Sequence, residues 1–188
     1  MPPLARDILE FWFGGRPHAI RSEWFRKDAA FDATIRERFG HAFDAALRGE
    51  LSDWRGDLHA ALAHVVLLDQ FTRNAFRDTP RAFAGDGEAL VTAVGVVDAS
   101  LDRALDIHER RFLYMPFEHS EDMAMQERAI ALFTQLERDS GDADPLEWAE
   151  KHATIVRHYG RYPHRNAILG RESTPEEIAF LQQPGSRF

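Results

Sequence analysis

The sequence predicts an all-α protein, and three features predict it. Apolar residues recur every three or four positions in segment after segment. No region shows the period-two alternation of β-branched residues that a half-buried strand needs. Helix-start signatures punctuate the chain. Asp28 and Asp57 precede apolar runs, and Thr79-Pro80, Asp144-Pro145-Leu146-Glu147 and Thr174-Pro175-Glu176-Glu177 each place a proline just inside a start. About eight or nine helices are expected, in a single all-helical domain over residues 1–188.

The elements follow in order. Leu4, Ile8, Phe11 and Trp12 fall at helical spacing, and Gly14-Gly15 stops that segment. Asp28 opens a long helix in which Phe31, Ile35, Phe39, Ala42, Phe43, Ala46 and Leu47 share a face; Gly49 ends it. Asp57 caps a run from Leu58 to Phe71 that is apolar almost all round. A helix without a polar face is buried on several sides, so this one belongs at the centre, and its polar members His64 and Asp69 need partners. Asp69 stands four residues before Arg73, the favourable order for a helical ion pair.

Residues 73–80 read as a loop ending in the Thr79-Pro80 start of a short helix. Asp86 reads as the cap of a helix carrying Leu90, Val94, Val97 and Leu101. A helix from about Leu105 to Met115 is stopped by Pro116, and Ser120 to Arg138 forms the next, with Met123, Ile130, Phe133 and Leu136 inward. The Asp144 capping box opens a helix whose inner face is Trp148, His152, Ile155, Val156 and Tyr159; Gly160 stops it. Ile178 and Leu181 lie on a final helix after Thr174-Pro175.

Composition removes several function classes. Hydrophobic residues at 44% and aromatics at 11% supply a core. The formal net charge of -8 argues against a nucleic-acid partner, which needs a basic face. The absence of cysteine excludes disulfides, thiolate nucleophiles, Fe–S clusters and Cys-type zinc sites. No apolar run reaches the roughly 18 residues of a membrane span, and the first residues lack a secretory pattern. A cytoplasmic protein without a membrane or a cofactor is expected. Gly-x-Ser-x-Gly, Walker-type and Gly-x-Gly-x-x-Gly signatures are missing too.

Charge gathers in two places. The stretch Phe112-Leu113-Tyr114-Met115-Pro116-Phe117 breaks into Glu118-His119-Ser120-Glu121-Asp122. The loop Arg157 to Asn166, with Arg171 beyond, concentrates arginine and histidine in an otherwise acidic chain. Arg73-Asn74-Ala75 returns as Arg165-Asn166-Ala167, and in both copies an arginine and then Thr-Pro follow: Arg77 with Thr79-Pro80, Arg171 with Thr174-Pro175. Shared helix-boundary chemistry explains that echo, as does a repeated anion-binding turn. The arginines are expected to neutralise Glu118, Glu121 and Asp122 across the fold.

Several of these motifs occur together and in order: Phe11-Trp12-Phe13-Gly14, Trp24-Phe25-Arg26-Lys27-Asp28, Asp69-Gln70-Phe71-Thr72-Arg73-Asn74, the Phe112 to Asp122 run, and Tyr159-Gly160-Arg161-Tyr162-Pro163-His164-Arg165-Asn166. The combination resembles the largely bacterial family known as domain of unknown function 924, and it covers nearly the whole chain. Thr72 departs from the family pattern, which usually has proline there. The resemblance implies a helical array similar to tetratricopeptide-type hairpins. It implies no reaction and no catalytic residues.

The function expected is a non-catalytic module for a peptide or a small anionic ligand. Its groove would be lined from Arg73, Asn74, Arg77, Tyr114, Glu118, His119, His164, Arg165 and Asn166. The alternatives are a hydrolytic, possibly metal-assisted, enzyme and a purely structural protein. For the enzyme, His119 or His164 would be the base beside Glu118, and Glu118, His119, Glu121 and Asp122 the donors for a metal. His152 and His64, each on an apolar helix face, read as hydrogen-bonded core residues.

Overall fold

The centre of the molecule is a buried helical rod, as its all-round apolar sequence requires. The computed structural model describes residues 1–186. Helix α1 is Pro3–Phe13 and α2 is Ala29–Leu47. The rod is α3 (Leu58–Val65), a π-helical segment (Val66–Phe71) and α4 (Thr72–Ala75), which run on without a break. Then come α5 (Asp86–Asp98), α6 (Ile107–His119), α7 (Met123–Ser140), α8 (Asp144–Tyr159) and α9 (Pro175–Phe180). Counting the rod as one helix gives eight, with no strand among the described residues. The all-α expectation holds.

The rod touches most of the other long elements. α1, α2, α5 and α6 all pack on it, and α6, α7 and α8 pack each on the next. From Ala60 to Phe71 every residue of the rod is buried. Its aromatic wall joins Phe71 to Phe11, Trp12 and Phe39, and Phe112 of α6 to Trp12 and Trp24. Rings of this size carry much of the burial a core needs.

Several starts are as expected. Asp28 accepts from the backbone N–H of Ala30 and Phe31, Asp57 from that of Ala60, and Thr174 with Glu177 completes a capping box. Others differ. The N-cap of α5 is Gly85, and Asp86 turns its carboxylate to Arg73 instead. Ala143 precedes α8 without a side-chain cap, because Asp144 pairs with Arg111. The helix also continues through Arg73 to Ala75, where a loop was expected.

The largest difference is at Pro116. It lies inside α6, which runs on to His119. A proline deletes one hydrogen bond. Here Phe112 and Phe117, fully buried on either side, hold the helix together across it, and Asp106 with Glu109 fixes its start. The corner therefore falls at Ser120–Asp122, and α7 begins at Met123 with Asp122 as its cap. No described helix is long and apolar enough to cross a membrane.

Candidate functional site

The π segment places its polar residues against the end of α6. One extra residue per turn re-aims side chains and frees carbonyls, and such segments are frequent at functional sites. Two carbonyls of the segment accept from side chains: Thr72 Oγ1 donates to Leu68 O at 2.7 Å, and Arg73 Nη1 to Asp69 O at 2.7 Å. Gly85 packs on the same segment. A Cβ there would stand 2.5 Å from the Leu68 carbonyl oxygen, so only glycine lets the start of α5 come this close. That approach delivers Asp86.

Asp69 is completely buried. Its Oδ1 is 2.7 Å from His119 Nδ1 and 3.1 Å from Arg73 Nη1, and its Oδ2 accepts from Gln70 Nε2 at 2.6 Å. Burial works to raise its pKa, but Arg73 and His119 outweigh that and keep it lowered. Arg73 also donates twice to Asp86, at 2.8 and 3.0 Å. The same Asp86 receives Arg165 from the far loop, at 3.4 Å. The Arg165 guanidinium lies over the rings of Tyr162 and Phe83, at 4.5 and 4.8 Å. Its Nε is buried without a hydrogen-bond partner. Burial, and then the like charge of Arg73, lower its pKa.

Glu118 closes the cluster. Its Oε1 is 3.0 Å from His152 Nδ1, and that nitrogen hydrogen-bonds Trp148 O at 2.8 Å. Burial pushes the Glu118 carboxyl up to about 8, so it is largely protonated at neutral pH. The imidazoles shift the other way. Burial, with His119 next in weight, brings His152 down to about 3; burial, with Arg165 next, brings His164 down to about 4. Burial and then Arg73 lower His119 as well. Neutral imidazoles, a protonated carboxyl and two arginines facing two carboxylates leave the cluster close to electrical balance.

The expected lining therefore divides. Arg73, Glu118, His119, His164 and Arg165 do share this cluster. Asn74 and Arg77 face away from it and hold Asp32, through Asn74 Nδ2 at 2.9 Å and Arg77 Nε at 2.6 Å. Tyr114 donates to Asp102 and receives Arg110, elsewhere in the core. Asn166 locks the far loop: its Nδ2 donates to Ser173 and Glu177, and its Oδ1 accepts from Arg171 Nε. Arg171 in turn grips Glu121 with two bonds at 2.7 and 3.0 Å.

The acidic corner is paired differently from the expectation. Glu121 does meet an arginine, but Glu118 faces His152, and Asp122 caps α7. Glu118, His119, Glu121 and Asp122 thus each serve a different partner. Asp86 and His152 are the members that sequence reasoning missed. A helix N-cap and a core histidine were the simpler readings of their positions, and only the crossing of α5, α6 and α8 brings them here.

Known proteins agree with the fold and leave the activity open. A family model described as bacterial protein of unknown function (DUF924) matches residues 8–185. The chain is also similar to the solved structure of a protein of unknown function, ATU0120, from Agrobacterium tumefaciens. The identity is 43%, the match covers 95% of this chain and 97% of that one, and the TM-score is 0.86. No curated protein matches the chain.

Proposed function

We propose that this chain, which belongs to the DUF924 family of bacterial proteins of unknown function, is a non-catalytic binding module for a small anionic group. A carboxylate, a phosphate or the acidic end of a peptide has the required chemistry. The observation that carries this reading is Arg165. It is a buried arginine with one long contact to Asp86, an Nε without a partner, and a pKa lowered by burial and by Arg73. A second arginine with no anion of its own is relieved by an incoming anion, and guanidinium presents paired donors for one. His164 stands close to it as a neutral imidazole, which adds no competing positive charge. The packing of α6, α7 and α8 on one another supports a tetratricopeptide-like array as the frame, and the cysteine-free sequence accords with a cytoplasmic setting.

The test is thermal melting and calorimetry with inorganic phosphate, small dicarboxylates and acidic peptides. A ligand selective for the folded state raises the midpoint. The expected result is a rise with at least one of these that disappears in Arg165→Ala while the helical spectrum is kept. No response to any of the probes, or a response that Arg165→Ala retains, overturns the reading.

A second reading, a hydrolytic enzyme, has its own support. The 2.7 Å contact between Asp69 and His119 would orient an imidazole base, and Glu118, held protonated to about 8, would be an acid close by. Opposed shifts of this kind mark acid–base sites. Turnover of ester or phosphoester substrates that is lost in His119→Gln and Glu118→Gln, with the fold intact, would replace the binding module by this enzyme.

A further inference from the structure

At the opposite end of α6 lies a second polar cluster, built from His18, Asp106 and Glu109. The start of α6 positions two of the three. Asp106 Oδ1 accepts from the backbone N–H of His108 and Glu109 at 2.9 and 3.0 Å. Glu109 Oε2 accepts from the Asp106 N–H at 3.0 Å. This reciprocal capping box uses one oxygen of each carboxylate and fixes both side chains. The other two oxygens, Asp106 Oδ2 and Glu109 Oε1, are left facing His18 Nδ1, at 2.7 and 4.0 Å. All three donor atoms lie within 4.8 Å of one another.

His18 supplies an observation that capping cannot explain. Its side chain is only 6% exposed, and its ring is stacked on Phe13 with centroids 5.0 Å apart. Yet Nδ1 has no hydrogen-bond partner: the Asp106 oxygen is near, but out of line with the ring. A positive charge in the space that they share would satisfy both the imidazole nitrogen and the carboxylate oxygens. Arg16 brings one from outside. Its Nη1 is 3.5 Å from Asp106 Oδ2 and its Nη2 contacts Glu109 Oε1. Arg16 is 58% exposed and follows Gly14-Gly15, so it can swing away without disturbing the core.

We propose that His18 Nδ1, Asp106 Oδ2 and Glu109 Oε1 form a binding site for a divalent transition-metal ion, with Arg16 the cation that the metal displaces. Donor atoms around a tetrahedral ion with bonds of about 2.0–2.1 Å stand about 3.3 Å apart, between the two spacings that His18 makes. One imidazole with two carboxylates suits Zn²⁺ or Mn²⁺; Mg²⁺ and Ca²⁺ prefer oxygen alone. The backbone N–H groups that hold the carboxylates from behind are the kind of support that ligating carboxylates have in metal sites. His18 and Glu109 also line a cleft of about 620 Å³, together with Arg6, Gly14, Gly15, Arg16 and His59. Water or a small ligand can reach the ion there.

The experiment is calorimetric titration of chelator-treated full-length protein with Zn²⁺, with Co²⁺ absorption as a spectroscopic check on a nitrogen–oxygen ligand set. One equivalent is expected to bind. Asp106→Asn and Glu109→Gln keep an oxygen for each capping bond while removing the charge, so both variants retain α6. With His18→Gln, each should weaken binding about tenfold or more. Arg16→Ala should tighten it, because the competing cation is gone. Far-UV circular dichroism identifies any variant that fails to fold, and the conclusion then rests on the folded ones. No stoichiometric binding by the native chain overturns the site, even if Arg16→Ala binds. Binding that the folded ligand variants leave unchanged also overturns it, since the metal then sits elsewhere on this acidic surface.

Discussion

The two Arg-Asn turns use the same residues to different ends. In both, the asparagine and the later arginine lock the turn onto a buried or half-buried acid: Asn74 and Arg77 hold Asp32, while Asn166 reaches Glu177 and Arg171 reaches Glu121. In both, the first arginine points to one shared carboxylate, Asp86, and to one shared ring, Phe83. There the likeness ends. Arg73 has two carboxylates, Asp69 and Asp86, and a backbone carbonyl, and its pKa is raised because these outweigh burial. Arg165 has a single 3.4 Å contact, and its pKa is lowered. The repeated motif therefore builds one saturated arginine and one under-saturated arginine around a common anion. What a guanidinium can still bind depends on its neighbours and not on the motif that carries it.

Removing the common anion should break the comparison most severely. Asp86→Ala leaves both arginines buried beside each other, and the expected loss is about 3–5 kcal/mol, read from the urea midpoint. Truncating each arginine sharpens the difference between them. Arg73→Ala strands the buried Asp69, with an expected cost of about 3 kcal/mol. Arg165→Ala mainly loses contact with two rings, with an expected cost of about 1 kcal/mol. Equal costs would show that the two arginines are matched after all. Gly85→Ala tests how Asp86 is delivered. A Cβ at 2.5 Å from a backbone oxygen forces α5 off the rod, at a cost of about 2 kcal/mol, and should reduce the difference between the two arginines.

A pH dependence tests the histidines and Glu118 of the same core. His64, His152 and His164 lie at about 4, about 3 and about 4, against an ordinary 6.5, chiefly through burial. The unfolded chain takes up protons first, so their contribution is complete above 6.5 and is lost as the pH falls toward 4. Glu118 acts in the opposite sense. Its pKa rises from 4.5 to about 8, so its contribution is complete below 4.5 and is lost as the pH climbs to 8. Between pH 6.5 and 8 stability should decline by on the order of 1 kcal/mol per pH unit. Glu118→Gln should flatten that limb and leave the acid limb in place, as denaturation at several pH values would show.

The sequence was a good guide wherever one helix decides the outcome. The all-round apolar run at 58–71, the caps at Asp28, Asp57 and Thr174, and the Asp69–Arg73 pair are local chemistry, and they stand as read. It was a poor guide wherever a residue has two competing uses. Asp86 and Asp144 have the side chain and the position of helix caps, but arginines from other elements take them. Pro116 carries its usual helix-breaking signal, which the burial of Phe112 and Phe117 overrides. The π segment has no periodic signature at all, since a single added residue shifts the phase within an already apolar stretch. The candidate site was half legible for the same reason. Clustered charge pointed to Arg73, Glu118, His119, His164 and Arg165, which come together in the fold, whereas Asn74, Arg77 and Tyr114 carry similar charge or polarity and point elsewhere.

Asp86 has one further consequence. It ties together Arg73, thirteen positions before it, and Arg165, seventy-nine positions after it, so one carboxylate pins the middle of the chain to its last quarter. The far loop and the rod thus share a contact as well as a carboxylate. Amide hydrogen exchange around Tyr162–Asn166 should therefore keep pace with exchange in the π segment, as one cooperative unit, although the two stretches lie far apart along the backbone.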